Sequence, residues 1–149
     1  MATLVKLLHG TSTEYLGVIK NKGLKSPSYS PGWMGVFLTD DENTAEYFAE
    51  IRADHVGGSP VVCEVNVGPS TLSADKQLYS LPTPDLIDEH YCNLGGMRIN
   101  EECWNEKIET GEIPYPKNDR DWRTSLDTVH SVIAQKDIPP KNIKCRSRG

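Results

Sequence analysis

Leu7-Leu8-His9-Gly10-Thr11-Ser12, running on through Tyr15-Leu16 and Ile19 to Gly23-Leu24, is the stretch on which the reading of this 149-residue chain turns. The apolar run reads as a strand that ends at His9-Gly10. Thr11-Ser12-Thr13-Glu14 then reads as a helix start, with Thr11 and Glu14 at capping-box spacing. Leu16, Val18 and Ile19 give that helix an apolar face, and Gly23 suits the position just past a helix end. The junction sets an imidazole and several backbone N–H groups at one strand terminus, where a polar ligand can be held. The plainer alternative for His9 is a hydrogen-bonded structural histidine.

Working outward, residues 25–34 are rich in Ser, Pro and Gly and read as a loop. Gly35-Val36-Phe37-Leu38-Thr39 reads as a short buried strand, and Thr39-Asp40-Asp41-Glu42 opens a helix bearing Ala45, Tyr47, Phe48 and Ala49. Gly57-Gly58-Ser59-Pro60 closes that unit. Val61-Val62-Cys63-Glu64-Val65-Asn66-Val67 has apolar odd positions and polar Glu64 and Asn66 between them, the period of a half-buried strand. Residues 68–121 are an unassigned, partly helical segment, with helix expected around Leu86–Cys92 and Glu101–Ile108. A strand is expected over Thr128–Ala134, beginning near Thr124-Ser125-Leu126 and containing His130. Pro139-Pro140 excludes a central strand there, so Ile143 begins a final edge strand or leads into the basic tail, residues 145–149. Helices early and strands from both ends make a single α+β domain over residues 1–149 rather than a regular βαβ array.

The net charge of −5 argues against a general binder of phosphate backbones, which needs a basic face. Only the stretch from Lys141 to Arg148 clusters positive charge; it reads as a solvated end or a dock for an acidic partner. No apolar run approaches the length of a membrane span, and the first residues lack a signal-peptide pattern, so a cytoplasmic protein without membrane contact is expected. Cys63, Cys92, Cys103 and Cys145 form no Cys-x-x-Cys pair. Reduced, mostly buried thiols are therefore expected, and no metal is.

Three pieces stand in order: the His9-Gly10-Thr11 strand end with its helix, the Gly35–Thr39 strand with the helix bearing Ala45-Glu46-Tyr47, and the late segment containing His130. In that order the chain resembles the ADP-ribosyltransferase superfamily, on the diphtheria-toxin and poly(ADP-ribose) polymerase side. Ile19 to Leu24, Pro60 to Val65 and Ile138 to Ile143 are similar to segments of the RNA 2′-phosphotransferases, which share that fold. The matches cover residues 4–67 and 122–144. The resemblance implies a split, mixed β-sheet and NAD as substrate. It implies transfer of a single ADP-ribose unit to a protein, nucleic-acid or small-molecule acceptor, with release of nicotinamide. Toxin-like effectors carry stand-alone domains of this kind. An RNA 2′-phosphotransferase, an NAD glycohydrolase and a non-catalytic module that binds NAD or a protein are the alternatives.

Carried over by that resemblance, His9 would hydrogen-bond a ribose hydroxyl, while Gly10, with Thr11 beside it, would meet the carboxamide. Phe37 and Tyr47 would sandwich the nicotinamide. Phe37 stands where the family has tyrosine; plain core packing is its alternative, and helix packing is that of Tyr47. His130 falls where the family places a glutamate, with Asp127 on the opposite face of the same expected strand. A carboxylate there would stabilise the oxocarbenium charge that builds as the glycosidic bond breaks; a neutral His130 would hydrogen-bond the ribose 2′-hydroxyl or accept a proton from an acceptor group, and a protonated one would repel that charge. Asp127, Glu64 or an acid from 85–112 are substitutes. Arg52, Arg98 and Arg123 are candidate phosphate ligands; Arg123 suits the NAD pyrophosphate, or a surface pair with Asp121 or Asp127.

Overall fold

The alternation at Val61–Val67 lies within a strand, Pro60–Val67, at whose odd positions the side chains are fully buried. Its partner is Val5–Ser12, paired antiparallel over eight rungs from Val5↔Val67 to Ser12↔Pro60. In this computed structural model, residues 3–24 and 36–146 are described. In chain order these are β1 (Val5–Ser12), α1 (Leu16–Lys22), β2 (Val36–Thr39), α2 (Glu42–Val56), β3 (Pro60–Val67), β4 (Leu72–Ala74), α3 (Lys76–Ser80), α4 (Pro84–Glu89), α5 (Met97–Thr110), α6 (Trp122–Val129), β5 (Ser131–Ala134) and β6 (Ile143–Cys145). The fold is α+β in a single domain. Six strands form one sheet in the order β4-β5-β2-β1-β3-β6.

Every ladder in that sheet is antiparallel, so the expected mixed sheet is corrected to an antiparallel one. β2 and β3 both run antiparallel to β1, which lies between them, so the crossover through α2 joins two strands that are not ladder partners. β1 and β2 share a single rung, Leu8↔Thr39, whereas β2 pairs with β5 over four. The sheet therefore parts between β1 and β2.

β1 does not end at His9. It continues to Ser12, because Gly10, Thr11 and Ser12 complete the ladder with Val62, Val61 and Pro60. Ser12, not Thr11, caps the following turn, accepting from the Glu14 N–H at 3.2 Å. Of the expected apolar face of α1 only Ile19 is buried; Val18 is exposed. The cap of α2 is Asp41, two residues past the expected Thr39: Asp41 accepts from the Thr44 N–H at 2.9 Å. Its Ala45, Ala49 and Ala53 form a buried stripe of small side chains at i, i+4 spacing. That stripe lies on β1, where a Cβ on Gly10 would sit 2.0 Å from the Ala45 carbonyl oxygen and 2.7 Å from the Ala49 nitrogen. Glycine at position 10 is what lets helix and strand approach this closely.

The expected strand over Thr128-Val129-His130 is corrected. Residues Trp122–Val129 form α6, capped by Asp121, and His130 ends it in the left-handed conformation (φ 58°), so β5 starts only at Ser131. Trp122, Leu126 and Val129 recur at helical spacing, and burial of that stripe outweighs the strand preference of the β-branched residues around it. The 68–121 segment contributes β4 to the sheet edge as well as α3, α4 and α5. β6 forms the other edge, as the Pro139-Pro140 reading anticipates.

The core falls into two clusters. One, around Leu7, Leu38, Val65, Val67 and Val132, lies on the sheet; the other, around Tyr79, Trp104, Ile113 and Val129, ties the later helices together. The Trp104 Nε1–H donates to the Tyr79 carbonyl at 2.8 Å, satisfying a buried donor. The expected reduced thiols are also corrected: Cys63 is joined to Cys145 and Cys92 to Cys103. Cys63 and Cys145 are cross-strand neighbours on β3 and β6, a juxtaposition that sequence spacing does not reveal. The 25–34 loop and the tail beyond Arg146 lie outside the described residues. No helix among the described residues is long and apolar enough to cross a membrane.

Candidate functional site

Where β1 and β2 part, a cavity of about 550 Å³ opens under α2. His9 stands at the fork. Past Leu8↔Thr39 the ladder stops, and the His9 imidazole bonds the Phe37 carbonyl at 2.8 Å in its place. A carbonyl only accepts, so Nδ1 carries the proton and, in the neutral ring, Nε2 is left as an acceptor. Burial pushes the His9 pKa below its ordinary value; the Phe37 hydrogen bond opposes this, and the Arg52 charge adds to it. The neutral tautomer is thereby held at neutral pH.

Gly10, Thr11, Phe37 and Tyr47 line the same cavity, so most of the residues singled out from the first half of the chain converge there. β1 supplies the first two and β2 the third. Tyr47 is carried by α2, 37% exposed, with its ring edge-on to Phe48 at 5.5 Å. Phe48, Ile51, Arg52 and His55 extend the α2 wall; Leu78, Leu81 and Pro82 to Pro84 also line the cavity. The arrangement offers an acceptor nitrogen, four phenylalanine and tyrosine rings (Tyr15, Phe37, Tyr47 and Phe48) and mostly apolar walls, which together suit a flat ring joined to a hydroxylated group.

The late candidates are elsewhere. His130 does not line the cavity; its Nε2 meets Glu89 at 2.8 Å and its Nδ1 lies 3.5 Å from Asp40. Asp40, and then Glu89, push its pKa up to about 9 against the opposing cost of burial, so it is a cation at neutral pH. Asp127 is on a helix, not a strand, and with Arg123 it borders a separate depression beside Leu4 and Trp122. Arg123 lies over the Trp122 ring, 4.7 Å from its centroid. Arg98 pairs with Glu102 on exposed α5. Glu64 faces away on β3, paired with Lys6 at 2.6 Å.

The carboxylate that does line the cavity is Asp75, which the sequence reading passed over. It is 1% exposed and caps α3, accepting from the Leu78 N–H at 3.0 Å. Ser131, the first residue of β5, donates to its other oxygen at 2.6 Å and lines the cavity beside it. The Asp75 N–H in turn donates to Ser125, whose hydroxyl donates to the Ser131 carbonyl. Burial pushes the Asp75 carboxyl above the usual carboxylate range, and the hydrogen bonds from Ser131 and the α3 backbone pull it back. Its only sequence signal is that of a helix cap.

Among the described residues no group of three or more His, Cys, Asp or Glu side chains is placed to hold a metal ion. Comparison of the chain with protein-family models and with curated proteins finds no match.

Proposed function

We propose that this protein binds NAD in the cavity at the parting of β1 and β2 and transfers one ADP-ribose unit to an acceptor, releasing nicotinamide. The observation that carries this reading is the convergence of His9, Phe37 and Tyr47 on one cavity. Neutral His9 accepts a hydrogen bond from a ribose hydroxyl through Nε2, and Phe37 and Tyr47 hold the nicotinamide between their rings. The glycosidic C–N bond then breaks with its electron pair leaving on nicotinamide. The acceptor's nucleophilic atom attacks the resulting oxocarbenium carbon, forming the new glycosidic bond, and gives up its proton to solvent water. Asp75, reaching the cavity through the Ser131 hydroxyl, is the carboxylate that balances the developing positive charge.

Incubation of the protein with NAD and a cell lysate tests this, reading free nicotinamide by chromatography and the ADP-ribose mass on proteins and nucleic acids. Both are expected from the wild type and are expected to be lost in His9→Ala. Absence of NAD binding and of nicotinamide release overturns the reading.

One observation favours a second reading, a module that binds NAD without turning it over. Both Asp75 oxygens are already engaged by protein donors, and neither His130 nor Asp127 reaches the cavity. NAD binding without nicotinamide release, by the wild type, is its signature.

A further inference from the structure

The cavity is electrically lopsided. Asp75 and Ser131 stand on one wall, whereas Arg52 and His55 stand on α2 toward its C-terminal end, beside Tyr15 of the turn that precedes α1. The Arg52 guanidinium lies over the Tyr15 ring, 6.0 Å from its centroid. Among the described residues no carboxylate lies within ion-pair distance of Arg52. Every other arginine that lines a cavity or crosses elements has another role: Arg123 stacks on Trp122 in the separate depression, and Arg146 pairs with Glu42. Arg52 is half-buried, so its charge gives up part of its hydration without a protein counter-charge in return. His55, one turn on, uses Nδ1 to donate to the Ile51 carbonyl at 3.0 Å, which leaves Nε2 for another partner. Arg52 and His9 line the same cavity.

We propose that Arg52 and His55 form an anion subsite that holds the pyrophosphate of a dinucleotide, at the end of the cavity opposite Asp75. The dinucleotide rests on the function proposed above; the anion subsite rests on the charge layout alone. A planar guanidinium suits two phosphate oxygens at once, and Tyr15 supports it from below while leaving its edge for the ligand. The ligand then lies with its anionic centre at Arg52 and its flat ring at Phe37 and Tyr47. The bond to be broken faces the wall that carries Asp75. Arg123, the residue that sequence alone offers for the pyrophosphate, takes no part.

Calorimetric titration of the full chain with inorganic pyrophosphate, NAD and nicotinamide riboside tests the assignment. Wild type is expected to bind pyrophosphate and NAD competitively. Arg52→Gln is expected to weaken both by about tenfold or more, the loss of a charge-assisted contact, and to leave nicotinamide riboside unchanged. Arg52→Lys is expected to fall between the two, and Arg123→Gln to match wild type within about twofold. Thermal melting of each variant shows that the fold persists. Equal binding of pyrophosphate and NAD by wild type and Arg52→Gln overturns the subsite and leaves the NAD reading standing. Pyrophosphate binding that needs Arg52, without NAD binding, supports the subsite and overturns the dinucleotide.

Discussion

Replacing Gly10 by alanine is the sharpest single test of how the site is built. The new Cβ would sit 2.0 Å from the Ala45 oxygen and 2.7 Å from the Ala49 nitrogen, where ordinary contact begins at 3.4 Å. Helix and strand must therefore separate by about 1.4 Å along this line, the difference between the first and last of those distances. Both colliding atoms are backbone, so no rotamer change relieves them. Overpacking of this kind costs about 1–3 kcal/mol, and a backbone clash places it at the upper end. Stiffening the unfolded chain returns about 0.4–1 kcal/mol, for a net loss of about 2 kcal/mol. In a domain of this size that is a fall of about 4–8 °C in Tm. Because α2 also carries Tyr47, Phe48 and Arg52, ligand binding should weaken along with stability. Gly17→Ala is the control: it lies in α1 with nothing within 4 Å of its added Cβ, and it should stabilise by about 0.5–1 kcal/mol. Urea unfolding with unchanged slope measures both. A Gly10→Ala loss below about 0.5 kcal/mol would refute the close-approach account.

Three further outcomes are expected. His130 has its pKa raised from 6.5 to about 9, so its ion pairs stabilise the fold fully below pH 6.5 and cease to do so as pH rises through 9. His130→Asn, which keeps the left-handed backbone, should cost about 1–2 kcal/mol at pH 6 and much less at pH 10; a cost independent of pH contradicts the pairing. Asp75 has the opposite sense: its raised pKa makes the folded state hold a proton that the unfolded chain releases, so its contribution declines as pH rises from about 3.8. Asp75→Asn should therefore gain on wild type between pH 3.5 and pH 7 in paired urea titrations, and a flat difference would count against burial as the cause. Removing Cys63–Cys145, with its separation of 82 residues, should destabilise by about 4 kcal/mol, against about 3 kcal/mol for Cys92–Cys103 with its separation of 11. Paired cysteine-to-alanine variants in urea check that order, which equal or reversed losses would overturn.

The front half of the fold was legible because its signals are local. The alternation of β3, the polar Thr39–Glu42 start of α2 (where Asp41 rather than Thr39 proves to be the cap) and the glycine after α1 each act within a few residues. A shared site for His9, Phe37 and Tyr47 was what the family resemblance implies, and the three do line one cavity. The late segment misled, because Thr124, Thr128 and Val129 favour strands locally while the Trp122–Leu126–Val129 stripe favours a helix only once a core exists to cover it. β4 is three residues long and is recruited by its neighbour β5, so no periodicity announces it. Asp75 follows from both: it enters the site only because β4 is drawn against β5, which brings Ser131 to its side chain.

The single rung between β1 and β2 has a mechanical consequence. Among the described residues, β4-β5-β2 and β1-β3-β6 form two plates whose ladder meets only at the Leu8↔Thr39 hinge. The His9–Phe37 hydrogen bond is a latch beside it, and Leu7, Leu38, Val65 and Val132 pack in one core across it. The Cys63–Cys145 link stiffens one plate and does not cross the hinge. Any ligand that grips His9 on one plate and Phe37 on the other acts as a second latch, so occupancy is felt as rigidity across the whole sheet. Slower hydrogen exchange at the facing amides of both plates would report that grip without any chemistry taking place.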